Sequence, residues 1–268
     1  MKKLNLGCGS LFFPSWVNID FLPRPRVQGH DLTKPLPFTD NSFDATYSSH
    51  VLEHFSRDQG ENFIQEQFRV LKKGGVCRVV VPDLERLCRS YLDKLEKVIP
   101  GTSSPRLSYE WGVIELIDQM TREVSGGQMR AFLNKYSDQL EGISDRVGDE
   151  ALAKQDLEVR LGGERSDIPG NIDKLNETVS NRLKRKCLKF RNKFSADNDP
   201  RKSGESHKWM YDRVSLANLI SEVGFTEFDV TTFDQSRIPN WNEENLDISL
   251  YGKFPRKPDS LYMEGIKS

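Results

Sequence analysis

The chain has 268 residues, enough for one large domain or for a domain carrying a sizeable insertion. An apolar content of 36%, a mean hydropathy of −0.61 and a net charge of −1 argue against a membrane-embedded chain and against a wholly basic nucleic-acid binder. Cys8, Cys77, Cys88 and Cys187 stand far apart with no C-x-x-C pair or adjacent histidine cluster, so no disulfide framework and no metal site is expected.

No run approaches the roughly 20 apolar residues of a membrane span. The N-terminus has no long apolar region of the signal-peptide kind. The expected setting is therefore reducing and cytoplasmic. Leu4–Leu6 reads as a short apolar strand that runs directly into Gly7-Cys8-Gly9. Glycine accepts positive φ and, having no Cβ, lets backbone approach a ligand. The second strand, Trp16–Asp20, begins so soon after this turn that the usual first helix must be a turn or two at most. A parallel crossover ordinarily takes about a dozen residues. A third strand is expected over Val27–Leu32 and a fourth over Phe43–Ser49, followed by a turn or helix start at His50–Phe55. A helix is expected over Gln59–Lys73, with Gly74-Gly75 as its stop. Val76–Val81 forms the next strand, and Asp83 caps a helix whose Leu84, Leu87, Cys88, Tyr91, Leu92 and Leu95 recur at helical spacing.

From about residue 101 to 206 the chain is highly charged and has no convincing strand. Helices are expected around Trp111–Met120 and Met129–Leu140. A long amphipathic one is expected through Ile172, Leu175, Val179, Leu183, Cys187, Phe190 and Phe194. Its polar side carries the basic run Arg182–Lys193, which reads first as a solvated face. An anionic acceptor or an anionic membrane surface is the functional alternative. Alternation of helix and strand returns with a helix over Asp212–Val223 capped by Gly224, a strand over Phe225–Phe233 and a last strand over Ser260–Lys267. The organisation expected is a core of residues 1–100 and 207–268, interrupted by a helical insertion over 101–206.

Four markers follow one another at strand ends: Gly7-Cys8-Gly9, Asp20, Asp31-Leu32 and Ser48-Ser49-His50. In an open α/β sheet, ligands bind at the carboxyl ends of the strands, so these groups converge there. A carboxylate at Asp20 suits a ribose diol. Asp31 suits an exocyclic amine, with Leu32 against the base. A dinucleotide fingerprint fails, because position 12 is Phe12 rather than glycine and Asp20 arrives too early. The bland alternatives are a simple tight turn at the glycines and strand-end caps at the two acids.

The order of Leu4–Ser10, Asn18-Ile19-Asp20, Asp31-Leu32, Leu36-Pro37-Phe38 with Asn41–Asp44, Val51–His54 and Leu71–Gly75 resembles the class I S-adenosylmethionine-dependent methyltransferases, in particular the broad "type 11" group. It covers residues 1–85 and, more loosely, the last 60. The resemblance implies a Rossmann-like α/β fold, a seven-stranded mostly parallel sheet with an antiparallel last strand. It also implies S-adenosylmethionine as cofactor. It places Gly7, Cys8 and Gly9 against the methionine and ribose part and Asp20 on the ribose hydroxyls. Asp31 and Leu32 fall at the adenine, and Ser48, Ser49 and His50 beside the methionine end. Leu11 stands where a third glycine is common. A fainter likeness of His207–Asp212 and Ser260-Leu261-Tyr262 points to members associated with surface-polysaccharide pathways.

The implied chemistry is displacement on a sulfonium methyl, in which alignment alone contributes about 7–11 kcal/mol. An alcohol acceptor must also lose a proton, and a positioned base adds about 10²–10⁴-fold. The candidate bases are His50, His54, Asp83 and His207, with His54 read first as structural and Asp83 first as a helix cap. The acceptor expected is a small molecule or glycan methylated on oxygen, with nucleic acid disfavoured. Two alternatives remain: a protein or RNA methyltransferase docked through the basic helix, and a non-catalytic cofactor-binding module.

Overall fold

A computed structural model describes residues 1–9, 11–98, 106–136, 146, 204–241, 243–244, 246–249 and 253–268. Seven strands form one sheet: β1 (Lys3–Leu6), β2 (Val17–Asp20), β3 (Gln28–Gly29), β4 (Phe43–Ser49), β5 (Leu71–Pro82), β6 (Phe225–Thr231) and β7 (Ser260–Lys267). Their order is β3-β2-β1-β4-β5-β7-β6. β1 to β5 pair in parallel, and β7 inserts antiparallel between β5 and β6. This is the Rossmann-like arrangement that the resemblance implies.

Period-two alternation sorts the strands into two faces. Leu4, Leu6, Ile19, Cys77, Val79, Val81, Leu261 and Met263 share a buried core with α1 (Arg57–Val70) and α5 (Arg213–Val223), through Phe63, Ile64, Leu216 and Ile220. Ser56 and Gln59 cap α1 reciprocally. Asp212 caps α5, and Gly224 at φ 112° ends it.

The opposite face has no helix over it among the described residues. Tyr47, Val76, Val80 and Tyr262 pack there against Trp16, Ile238, Trp241 and Leu246, all from irregular backbone. Fully buried Arg78 pins that cover. Its guanidinium donates to Asp247 Oδ2 at 2.9 Å, to Glu264 Oε1 at 2.8 Å and to the carbonyls of Gln235 and Thr232 at 2.9 and 2.8 Å. It also lies 4.6 Å from the Trp241 ring centroid.

Three expectations change. The first helix starts at Arg57 and ends at Val70, and Leu71 already pairs with Phe43 in β5. The glycine pair shapes an irregularity within that strand rather than a helix end. Gly74 has φ 76°, and a Cβ on Gly75 would lie 2.8 Å from the Lys72 carbonyl. The third strand shrinks to Gln28–Gly29, because Asp31 Oδ1 accepts from Thr33 N at 3.0 Å and turns the chain. Between β1 and β2 the described residues form turns, in keeping with the shortened crossover.

Within the expected insertion lie α2's packing partner α3 (Arg106–Thr121) and α4 (Gly127–Lys135), where α2 is Leu84–Lys97. Trp111 and Phe132 form their small core. Leu140, the stripe from Ile172 to Phe194 and the basic run Arg182–Lys193 lie outside the described residues. No helix among the described residues is long and apolar enough to cross a membrane.

Candidate active site

The carboxyl ends of β1, β2, β4 and β5 open on one edge of the sheet, and the antiparallel β7 begins there with Ser260 opposite Pro82. At the end of β1 the backbone turns sharply. Gly7 N and Cys8 N both donate to Ile19 O, at 2.9 and 3.0 Å. Gly7 has φ 68° and Gly9 has φ 54°. A Cβ on Gly7 would sit 2.3 Å from Val51 Cγ2, so the turn packs directly on the segment after β4. A Cβ on Gly9 would meet nothing within 4 Å, so the space above the loop is open.

Asp20 closes this loop from β2. Its Oδ2 accepts from Gly9 N at 2.7 Å and lies 3.5 Å from the Arg24 guanidinium, which also donates to the Gly9 carbonyl. The Cys8 thiol packs between them, and burial beside Asp20 pushes it up to about 11. Asp31 is held low by its Thr33 hydrogen bond. Leu32 is half-buried against the core of that face. Ser48 Oγ is buried at the end of β4 with no hydrogen-bond partner. Open space over Gly9, an acid at the end of β2 and an orphaned hydroxyl at the end of β4 fit an adenosyl sulfonium ligand. Gly7, Gly9, Asp20, Asp31, Leu32 and Ser48–His50 would hold it.

His50 follows β4 in the left-handed region, at φ 54°, a conformation costly for a side chain of its size. Its amide donates to Val80 O at 2.8 Å, and its Nε2 is 2.8 Å from Ser260 Oγ. A single 3-10 turn, Leu52–His54, comes next. The Glu53 carbonyl accepts from Lys208 N at 2.8 Å and Trp209 N at 3.2 Å, and His207 N donates to Gln119 O of α3 at 2.9 Å. Through these bonds the structure brings His50, Glu53, His54 and His207 together. Burial pushes Glu53 up to about 7 and His207 down to about 2, and it lowers His50 and His54 as well.

Asp83 stands at the same edge, but its Oδ1 accepts from Arg86 N at 3.2 Å as the cap of α2. Glu53 and Ser260 were not singled out from sequence as site residues. The signal available for Glu53 was its spacing: His50, Glu53 and His54 stand at i, i+3 and i+4, one face of a single helical turn.

Residues 16–79 match the family model described as a methyltransferase domain, about a quarter of the chain. No curated protein matches the chain. Among solved structures, a Thermotoga maritima protein described as a SAM-dependent methyltransferase and possible histamine N-methyltransferase is 15% identical at a TM-score of 0.39. That alignment covers 100% of this chain and 82% of that one. An Archaeoglobus fulgidus SAM-dependent methyltransferase is 12% identical at a TM-score of 0.37, over 99% of this chain and 86% of that one. Taken with the strand order and the β1–β2 loop, the match of residues 16–79 to a methyltransferase domain supports an enzyme whose cofactor is S-adenosylmethionine.

Proposed function

We propose that the protein methylates an oxygen of a small hydroxylated or glycan-type acceptor. The observation that carries this reading is the imidazole cluster at the cofactor edge. His50 stands at that edge with Nε2 2.8 Å from Ser260 Oγ, and a neutral imidazole there can take the proton that an alcohol must lose. An amine acceptor that arrives neutral needs no such group before attack. When bound, S-adenosylmethionine supplies an electrophilic methyl on a sulfonium sulfur. The glycine turn and Asp20 fix the cofactor's ribose end, and His50, held by Ser260, stands as the candidate base.

Residues 204–209 and α3 form the wall over this cluster, which supports the insertion as an acceptor platform. The test is transfer of isotopically labelled methyl to a panel of sugars, nucleotide sugars and matched amines. Label in ether linkage, with a large loss in His50→Gln, is expected. Label confined to amines overturns the oxygen assignment. Cofactor binding with no label in any acceptor favours the non-catalytic alternative.

A further inference from the structure

We propose that Glu53, His54 and His207 form a binding site for a divalent first-row transition-metal ion at the carboxyl edge of the sheet. Three of the chain's four histidines meet there. The Glu53 side chain is 0% exposed, and no other side chain hydrogen-bonds to its carboxylate; only its own backbone amide and the charge of Lys257 offset its burial. An ionised carboxylate buried in this way is costly unless a cation or donors compensate it. What faces Glu53 Oε1 instead is a ring of imidazole nitrogens: His50 Nδ1 at 3.3 Å, His207 Nε2 at 3.9 Å and His54 Nε2 at 4.0 Å.

The tautomer of His54 sharpens the point. Its Nδ1 lies 3.3 Å from the Ser206 carbonyl, which can only accept, so Nδ1 carries the proton. Neutral His54 then presents the lone pair of Nε2 to a carboxylate. Two acceptors facing one another call for a proton or a metal cation between them. A metal-bound histidine characteristically spends its other nitrogen on such a carbonyl bond. His207 packs edge-on against His54, with ring centroids 4.9 Å apart, and its Nδ1 is buried without a partner.

One ligand atom from each of Glu53, His54 and His207 lies within 4.8 Å of the others. Ligand atoms around a four-coordinate ion with bonds of about 2.0–2.1 Å sit about 3.4 Å apart. The separations of 3.9 and 4.0 Å from Glu53 therefore need to close by only about half an ångström. Two imidazoles and one carboxylate suit zinc, iron(II), cobalt(II) or nickel(II) better than magnesium or calcium, and leave coordination positions open. Cysteine spacing gave no hint of such a site, because none of its ligands is a cysteine. On the oxygen-acceptor reading above, the open position would take the acceptor's oxygen and lower its proton affinity, leaving His50 to receive the proton.

The test uses the full chain stripped by chelation and titrated with cobalt(II) alone and zinc(II) alone. S-adenosylhomocysteine binding is measured on the same sample by calorimetry. One equivalent of cobalt(II) with ligand-field absorption bands is expected, weakened at least tenfold in His54→Ala and in His207→Ala and unchanged in His30→Gln. His54 is partly exposed, so His54→Ala should stay folded, with circular dichroism and melting as the check. Cobalt(II) binding that is absent, or equal in wild type and both alanine variants, overturns the metal site. If S-adenosylhomocysteine still binds in that case, the methyltransferase reading stands. Metal binding without S-adenosylhomocysteine binding sinks the cofactor assignment and leaves the metal site standing.

Discussion

Replacing Asp20 tests the cofactor assignment most directly. One of its oxygens takes the Gly9 amide at 2.7 Å, and the carboxylate has acceptor capacity left for two ribose hydroxyls. Each hydrogen bond to a charged group contributes about 1.5–3 kcal/mol. Loss of both in Asp20→Ala therefore costs at least about 3 kcal/mol, or about 150-fold or more in the Kd for S-adenosylhomocysteine. Asp20→Asn keeps an oxygen for Gly9 and gives up the charge and one acceptor, which costs about 1.5–2 kcal/mol, or about 10–30-fold. Titration calorimetry on wild type and both variants reads these values. A thermal melt of each variant separates lost binding from lost fold, since Asp20→Ala also removes the carboxylate beside Arg24. A folded Asp20→Ala that binds within threefold of wild type would refute the reasoning, and the graded order wild type, Asn, Ala is as much part of it as the size.

Arg78→Leu should destabilise the protein by about 3–5 kcal/mol in chemical denaturation, because it removes the guanidinium that buried Asp247 and Glu264 share. A loss below about 1 kcal/mol would mean that Arg78 does not pin the irregular face. Gly7→Ala should impair both folding and cofactor binding, since its Cβ would lie 2.3 Å from Val51 Cγ2 at φ 68°. Adding Val51→Ala should relieve the clash but not the φ strain, so only partial recovery of melting temperature is expected. Asp212→Ala should cost about 1 kcal/mol at pH 7 through its lost helix cap. The Ser215 amide lowers the Asp212 carboxyl in the folded state, so its stabilisation is present above the unfolded value near about 4 and is lost as pH falls through the folded one. The wild-type and Asp212→Ala stabilities should therefore converge at acid pH, and a gap that widens there would contradict the sign.

Much of the fold was legible because it is local. Strands such as Val76–Val81 announce themselves by β-branched runs, and the Asp83 cap by its place ahead of helical spacing, whereas Asp212 reads as part of its helix and is in fact the cap. The short crossover after Gly9 was legible from chain length alone. The error at Gly74-Gly75 came from a real ambiguity. A glycine pair after an amphipathic run fits a helix stop as well as a strand irregularity, and only the pairing of Leu71 with Phe43 decides. The cover of the second sheet face was not legible. Ile238, Trp241 and Leu246 follow no period, and Arg78 reads as a stray charge in an apolar strand until Asp247 and Glu264 close on it.

The site divides along the same line. Gly7, Gly9, Asp20 and Asp31 each lie at the end of a strand, so sheet order alone brings them to one edge. Glu53 and His207 meet because the Glu53 carbonyl takes the amides of Lys208 and Trp209, a contact between segments far apart in the chain. Sequence assigns His54 a structural place and His207 a chemical one, and gives no reason for them to touch. Their rings in fact stand 4.9 Å apart over one buried carboxylate. The cofactor half of the site thus follows from topology. On the proposed oxygen-acceptor reading, the half that would select and activate the acceptor is assembled by residues 206–209, so changes in that segment should alter the acceptor while the β1–β2 loop would still hold the same cofactor.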